Sequence, residues 1–97
     1  MAALYMLLYP LSKPVVKLGS ISVLSSKSTA MLWAQAPAHT RVAGVFHLRK
    51  TVGLEDLEER ARSILESSSY APIFRFVTKR GKNLGSRRIV EMWIDRG

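Results

Sequence analysis

The stretch of sequence that decides the fold runs from residue 73 to residue 96 and reads IFRFVTKRGKNLGSRRIVEMWIDR. Residues 73–80 and 88–94 have the composition and alternation of strands, and the connector 81–86 between them contains Gly81 and Gly85. Two such strands joined by a short, glycine-containing connector predict a β-hairpin, here a long one with a basic tip.

The hairpin has one apolar face if its even-numbered positions pair with each other. Those positions carry Phe74, Phe76, Val90, Met92 and Ile94. The same register brings Arg75 close to Glu91 on the opposite face. We therefore expect the two phenylalanines to lie beneath a helix. Trp93 has odd parity, so we expect it to be exposed, as a residue of a protein interface or a platform on which a base stacks.

A helix and a strand precede the hairpin. The apolar stripe of the helix, with spacings of three and four, consists of Leu54, Leu57, Ala61, Ile64 and Leu65. Residues 41–50 alternate as a half-buried strand, with Val42, Phe46 and Leu48 on one face. Residues 41–96 thus read β-α-β-β. The predicted fold class is α+β, with a small mixed or antiparallel sheet, one main helix packed on one face, and a basic β-hairpin.

Several interpretations of residues 1–40 stay open. Residues 1–9 are apolar all round and predict a buried strand or a short docked helix, being too short for the ~20 residues of a membrane span. Residues 12–29 are rich in serine and lysine and contain no acid. That composition fits a transit peptide. The two other interpretations are a hairpin that turns at Gly19-Ser20 and an extension upstream of a start at Met31.

The remainder of the N-terminal segment reads as one more strand, over residues 31–35. The 97 residues form one domain, made of this N-terminal segment and a β-α-β-β core at residues 41–97. The core leaves bare sheet edges, which the N-terminal strands or a second copy of the chain would cover.

The composition is that of a basic protein. The formal net charge is +8 with a pI near 10.5, and residues 1–54 contain six Lys/Arg and no acid. Such a chain is attracted to polyanions. The absence of cysteine fits a reducing compartment. We expect an intracellular, cytoplasmic protein, with organelle import as the alternative that the acid-free N-terminal segment allows.

Catalytic and cofactor signatures are missing from the sequence. His39 and His47 are eight residues apart and have no carboxylate at a metal-binding spacing. No nucleophile has an obvious base. The segment Gly81–Ser86 joins two strands and lacks the G-x-x-x-x-G-K-[ST] spacing of a phosphate-binding P-loop. We expect no enzyme activity, no cofactor, no metal and no small-molecule substrate.

The strongest functional signal is a cluster of positive charge on the hairpin. Its residues, with the one amide suited to reading a base edge, are Arg75, Lys79, Arg80, Lys82, Asn83, Arg87 and Arg88. A solvated tip and an acidic protein partner are two alternative interpretations. The first hypothesis is non-enzymatic binding of RNA or DNA through phosphate contacts, as a chromatin-type protein or a small ribonucleoprotein subunit. The second is a homo-oligomeric interaction module with an interface at the sheet edges and Trp93.

One resemblance supports the first hypothesis. A strand, a helix and a basic hairpin over residues 41–96 are similar to the second half of the Alba chromatin proteins. The similarity depends chiefly on the basic arm that leads into Arg87-Arg88-Ile89, and the glycine-basic segment before the helix is missing from residues 49–52. The resemblance implies nucleic-acid binding through the arm.

Overall fold

The computed structural model describes residues 3–21, 25–47, 53–77 and 89–97. These ranges contain, in chain order, β1 (Ala3–Tyr9), β2 (Val15–Ile21), α1 (Ser26–Gln35), β3 (Arg41–His47), α2 (Leu54–Ser67), β4 (Tyr70–Val77) and β5 (Ile89–Asp95). The five strands form one sheet in the order β3-β1-β2-β5-β4, and every neighbouring pair is antiparallel. The α+β prediction is confirmed, with two helices rather than one.

One helix lies on each face of the sheet. The face of the sheet that α2 covers, called the α2 face, packs against Leu57, Ala61 and Leu65 of the helix. The buried sheet residues on this face are Leu4, Met6, Val16, Leu18 and Trp93. The α1 face packs against Leu32 and Ala36, and its sheet residues are Tyr5, Leu7, Tyr9, Val15, Met92 and Ile94. Both parities of β1 are therefore apolar, which is the pattern of a strand covered on two sides.

The strand β2 is continuous through the predicted turn at Gly19-Ser20, so the hairpin prediction for residues 15–24 is wrong. Gly19 is opposite Tyr5 in the register. The Tyr5 ring lies over the glycine so closely that a Cβ at position 19 would collide with the ring and its hydroxyl. The glycine thus makes room for a cross-strand aromatic ring rather than a turn.

The predicted strand at residues 31–35 is also wrong, because these residues end the helix α1. The helix begins with a capping box, in which the Ser25 hydroxyl accepts from the Ser28 amide at 3.2 Å. In return, the Ser25 amide donates to the Ser28 hydroxyl at 2.9 Å. The serine-rich composition that suggested a transit peptide therefore includes a helix N-cap.

The register between β4 and β5 is as predicted from Phe74 to Val77, but the expected faces are exchanged. Arg75 pairs with Glu91 and Phe74 with Met92. Yet the helix α2 covers the odd-numbered face of β5, where Trp93 is 0% exposed, while Phe74 and Phe76 are exposed. The expectation of an exposed Trp93 and covered phenylalanines is wrong. The reason is that β5 is an inner strand whose two faces are both packed, so alternation alone does not select the helix side.

Bulges in the two edge strands change the parity of their side chains. In β4 the register shifts between Pro72 and Phe74, so Ile73 is the extra residue. In β3 the extra residue is Ala43. Consequently Val42 lies on the α1 side while Phe46 packs into the α2 cluster. The prediction that both share one face is wrong for this reason.

Candidate nucleic-acid interface

Five strand termini meet at one end of the sheet. The registers put the last residue of β3 beside the first of β1, which lies beside the last of β2. The last residue of β4 pairs with the first residue of β5. Because β5 also pairs with β2, this first residue of β5 lies at the same end of the sheet as the last residue of β2. In sheet order the termini are His47, Ala3, Ile21, Ile89 and Val77. We call this end of the sheet the basic end because of the sequence attached to it.

Two basic segments are attached there, and the predicted residues Lys79, Arg80, Lys82, Asn83, Arg87 and Arg88 belong to one of them. Residues 48–52 follow β3, residues 78–88 connect β4 to β5, and both segments lie outside the described residues. Together they contain seven of the fifteen Lys/Arg and none of the seven acids. The rest of the chain has eight Lys/Arg and seven acids, so nearly all of the +8 net charge belongs to these two segments.

The opposite end of the sheet also carries cations, but they are spread over three separate elements. Lys13 lies in the β1–β2 connection, Arg41 begins β3, and Arg96 follows β5; all three side chains are exposed. They provide a natural comparison for the basic end, because they have the same charge at the other end of the strands.

Arg75 is described, and its guanidinium already has acidic partners. Its Nη2 and Nε donate to Glu58 Oε1 at 2.8 and 3.2 Å, and Nε lies 4.0 Å from Glu91 Oε1. The hydrogen bond to Glu58 raises the pKa of Arg75, which therefore stays charged. The side chain is 49% exposed. A phosphate at this position would compete with two carboxylates, so Arg75 is the least available cation of the predicted set.

The partners of Arg75 belong to a charge cluster formed by Glu58, Arg62, Arg75 and Glu91, in which the two carboxylates are buried and the two arginines are partly exposed. Glu58 is 5% exposed and Glu91 is 0% exposed. Arg62 Nε lies 3.7 Å from Glu91 Oε1. Burial, followed by the neighbouring Glu58, raises the pKa of Glu91 to about 7, against the opposite effect of the two arginines. The cluster connects α2 to β4 and β5.

Protonation of Glu91 provides a hydrogen bond that the ionised cluster lacks. Within the described part of the chain, neither carboxylate oxygen of Glu91 has a hydrogen-bond partner. Two carboxylates cannot donate to each other, whereas a protonated Glu91 can donate to Glu58. Protonation of Glu91 therefore gives one of its buried oxygens a hydrogen-bond partner.

Phe74 and Phe76 form an open aromatic stripe on the edge strand β4, on the α1 face. Their exposed fractions are 51% and 52%. Their cross-strand neighbours on β5 are Met92 and Val90, which are only partly exposed. The sequence signal for this stripe is the even parity of the two residues, although the same parity predicts that they are core residues.

A cleft of about 420 Å³ separates α1 from the sheet beside this stripe. Its lining includes Tyr5, Lys17, Met31, Leu32, Gln35 and Phe76. The Lys17 ammonium lies 5.9 Å from the centre of the Tyr5 ring, and burial lowers the pKa of this lysine. Sequence reasoning missed Lys17 as a site residue. The available signal was a single cation inside the apolar stretch of β2.

Among residues 3–21, 25–47, 53–77 and 89–97, no group of three or more His, Cys, Asp or Glu side chains could hold a metal ion. Neither helix of these ranges has the length and apolar character needed to span a membrane.

Compared with known proteins, the chain matches no family model, no curated protein and no solved structure. The similarity of residues 41–96 to the Alba chromatin proteins stays a prediction from sequence.

Proposed function

We propose that this protein binds nucleic acid without catalysis, through the basic end of the sheet, as a chromatin-type protein or a small ribonucleoprotein subunit. One observation carries the proposal: two acid-free basic segments, distant in sequence, are attached to the same end of one antiparallel sheet. Positive charges attached to one end of a sheet repel each other. A polyanion that neutralises these charges removes the repulsion and therefore binds favourably. The absence of cysteine supports an intracellular, reducing location for this binding.

The principal binding element in this proposal is the connection between β4 and β5 in the β-α-β-β unit of residues 41–96. Its contact residues are Lys79, Arg80, Lys82, Asn83, Arg87 and Arg88. Lysine and arginine contact phosphates and so position the protein without reading sequence. Asn83 is the one amide among them that can pair with a base edge. Arg75 contributes less, since Glu58 already holds its guanidinium.

A second candidate function is self-association through the sheet edges. The edge strands β3 and β4 expose Val42, Val45 and Ile73 at 50%, 44% and 57%. Exposed apolar side chains on an unpaired edge favour pairing with another strand. Light scattering over a range of protein concentrations tests this candidate. If the protein self-associates, the wild type forms a dimer and the substitution Val45→Lys dissociates it. A wild-type monomer at all concentrations would contradict self-association.

The test of nucleic-acid binding compares two triple charge reversals. One variant changes Lys79, Arg80 and Lys82 to glutamate, and the control changes Lys13, Arg41 and Arg96 to glutamate. Each lowers the net charge by six, from +8 to +2. Fluorescence anisotropy of labelled RNA and DNA then measures the dissociation constant of each variant.

We expect reversal at the basic end to abolish measurable binding and the control to retain most of it. Equal weakening by both variants would show that total charge matters and that the basic end does not. An absence of binding by the wild-type protein at low salt would refute the function itself. Circular dichroism checks that both variants fold.

A further inference from the structure

We propose that Phe74 and Phe76, together with the cleft beneath α1, form a site for single-stranded nucleic acid. The two rings stack on bases, and Lys17 in the cleft meets a phosphate. This inference rests on the proposed function and specifies its substrate as an unpaired strand. It uses only side chains of the described residues, next to the basic end but separate from the charged segments.

The exposure of the two rings indicates a binding surface. Each phenylalanine leaves about half of its surface in water, at 51% and 52%. Both lie on the same side of an edge strand, because residues two apart share a face. An aromatic face open to solvent is the feature with which proteins bind unpaired bases, and each stacked base contributes ~1–3 kcal/mol.

The spacing of the rings selects a single strand over a duplex. Residues two apart on a strand are separated by roughly 6.6–6.8 Å. Stacked nucleotides of one duplex strand rise by only ~3.4 Å. Successive bases can lie on both rings only if they are spread apart, which an unpaired strand permits. In a duplex, in addition, the faces of the bases are covered by their neighbours.

The cleft continues the aromatic stripe. Phe76 forms part of its wall, so a base stacked there lies at the cleft mouth. The volume of about 420 Å³ is within the range of ~300–1,000 Å³ that small ligands occupy. Gln35 offers an amide that can pair with a base edge. The cleft can therefore take one nucleotide next to the two stacked bases.

Lys17 gives the cleft a preference for anions. Its side chain lies over Tyr5, and no carboxylate of the described residues forms an ion pair with it. A partly buried ammonium without an acidic partner is stabilised by an incoming negative charge. A phosphate of the bound strand supplies that charge.

The position of the stripe next to the basic end identifies the occupant as nucleic acid. Phe76 is one residue from Val77, the terminus of β4 from which residues 78–88 continue. A strand held by phosphate contacts at the basic end thus reaches the rings without crossing the sheet. Charge complementarity and aromatic exposure together favour this occupant over a second copy of the chain.

The experiment measures affinity for an unstructured RNA, the same sequence as single-stranded DNA, and a duplex of equal length. The variants are Phe74→Ala and Phe76→Ala, with Phe74→Leu and Phe76→Leu as partners that keep apolar bulk and lose the aromatic face. Ile73→Ala is the matched control, because Ile73 is an exposed apolar residue of the same strand at 57%. Light scattering reports the mass of each variant.

We expect each phenylalanine variant, alanine or leucine, to weaken single-strand binding roughly 5- to 150-fold, equivalent to ~1–3 kcal/mol per stacked base. Ile73→Ala is expected to bind as the wild type does. The single strands bind more tightly than the duplex. Lys17→Gln lowers the magnitude of the salt slope by about 0.7, the value for one phosphate contact on a single strand.

Two results would overturn the inference while the proposed function survives. One is wild-type affinity in all four phenylalanine variants, with binding still lost on charge reversal at the basic end. The other is a lower mass of the phenylalanine variants with unchanged nucleic-acid affinity, which would make the stripe a dimer interface. If the wild-type protein binds none of the three nucleic acids, both the inference and the proposed function fail.

Discussion

Glu91 shows how a single residue connects two layers of this fold. Its carboxyl group is 0% exposed, beneath α2, and contacts arginines from α2 and β4. Burial and the neighbouring Glu58 disfavour the charge, while Arg62 and Arg75 favour it, and the net effect raises the pKa to about 7. Near neutral pH the folded protein therefore holds a proton that a solvated glutamate releases.

This proton predicts a pH dependence of stability. The pKa of Glu91 rises from 4.5 to about 7 on folding. Between these values the folded state binds more protons than the unfolded state, so the free energy of unfolding falls as the pH rises, by at most ~1.4 kcal/mol per pH unit. Glu91→Gln, which mimics the protonated form, is expected to flatten this dependence and to be more stable than the wild type above pH ~7.

Urea unfolding at several pH values measures the difference between wild type and variant. Glu66→Gln is the control, because Glu66 is an exposed glutamate near the end of α2. The control curve should follow that of the wild type. A Glu91→Gln curve parallel to the wild type across the whole range would show that Glu91 keeps an ordinary pKa.

At the scale of elements, strong local patterns predicted structure and weak ones did not. The helix α2 was predictable because Leu57, Ala61 and Leu65 recur at helical spacing, and all three are buried. Ile64, placed in the same stripe, is 48% exposed at its margin. The helix α1 gave no such signal, since none of its residues is buried. Its N-cap serine was the one local cue.

The faces of β5 were not predictable from alternation. A charged pair such as Arg75 and Glu91 normally marks the solvent side of a sheet. Here α2 brings Glu58 and Arg62 to the same side, so the charges are compensated beneath the helix. Deciding which side is covered requires the position of α2, which is tertiary information. The same information was needed to recognise the aromatic stripe as a surface.

The two tryptophans test this assignment of faces. Trp93 is 0% exposed and Trp33 is 44% exposed. Trp33→Phe, which leaves only Trp93, is expected to emit at shorter wavelength and to resist quenching by acrylamide. Trp93→Phe, which leaves only Trp33, should show longer-wavelength emission and efficient quenching. Stern–Volmer constants measure the difference, and stronger quenching of Trp93 would contradict the packing of α2 on this face.

At the scale of the whole molecule, the excess positive charge belongs to the two segments attached to the basic end. The described ranges are nearly balanced, with eight Lys/Arg and seven acids. The sequence alone identified the basic cluster at residues 79–88. It did not show that Arg49 and Lys50 follow a strand ending at the same end of the sheet, because this depends on β1 and β2 lying between β3 and β5. The strand order therefore adds a second, smaller basic segment to the candidate site, with two of its seven cations.

The salt dependence of binding tests the central claim most directly. Affinity for an unstructured single strand is measured between about 50 and 200 mM salt, for the wild type and for the variant with Lys79, Arg80 and Lys82 reversed. If each of the five cations of residues 78–88 contacts one phosphate, these contacts alone predict a slope of log K against log salt near −3.5 on a single strand, or near −4.5 on a duplex. Reversal should reduce its magnitude by about 2 or more. A slope near zero, or one that the reversal leaves unchanged, would contradict binding at the basic end.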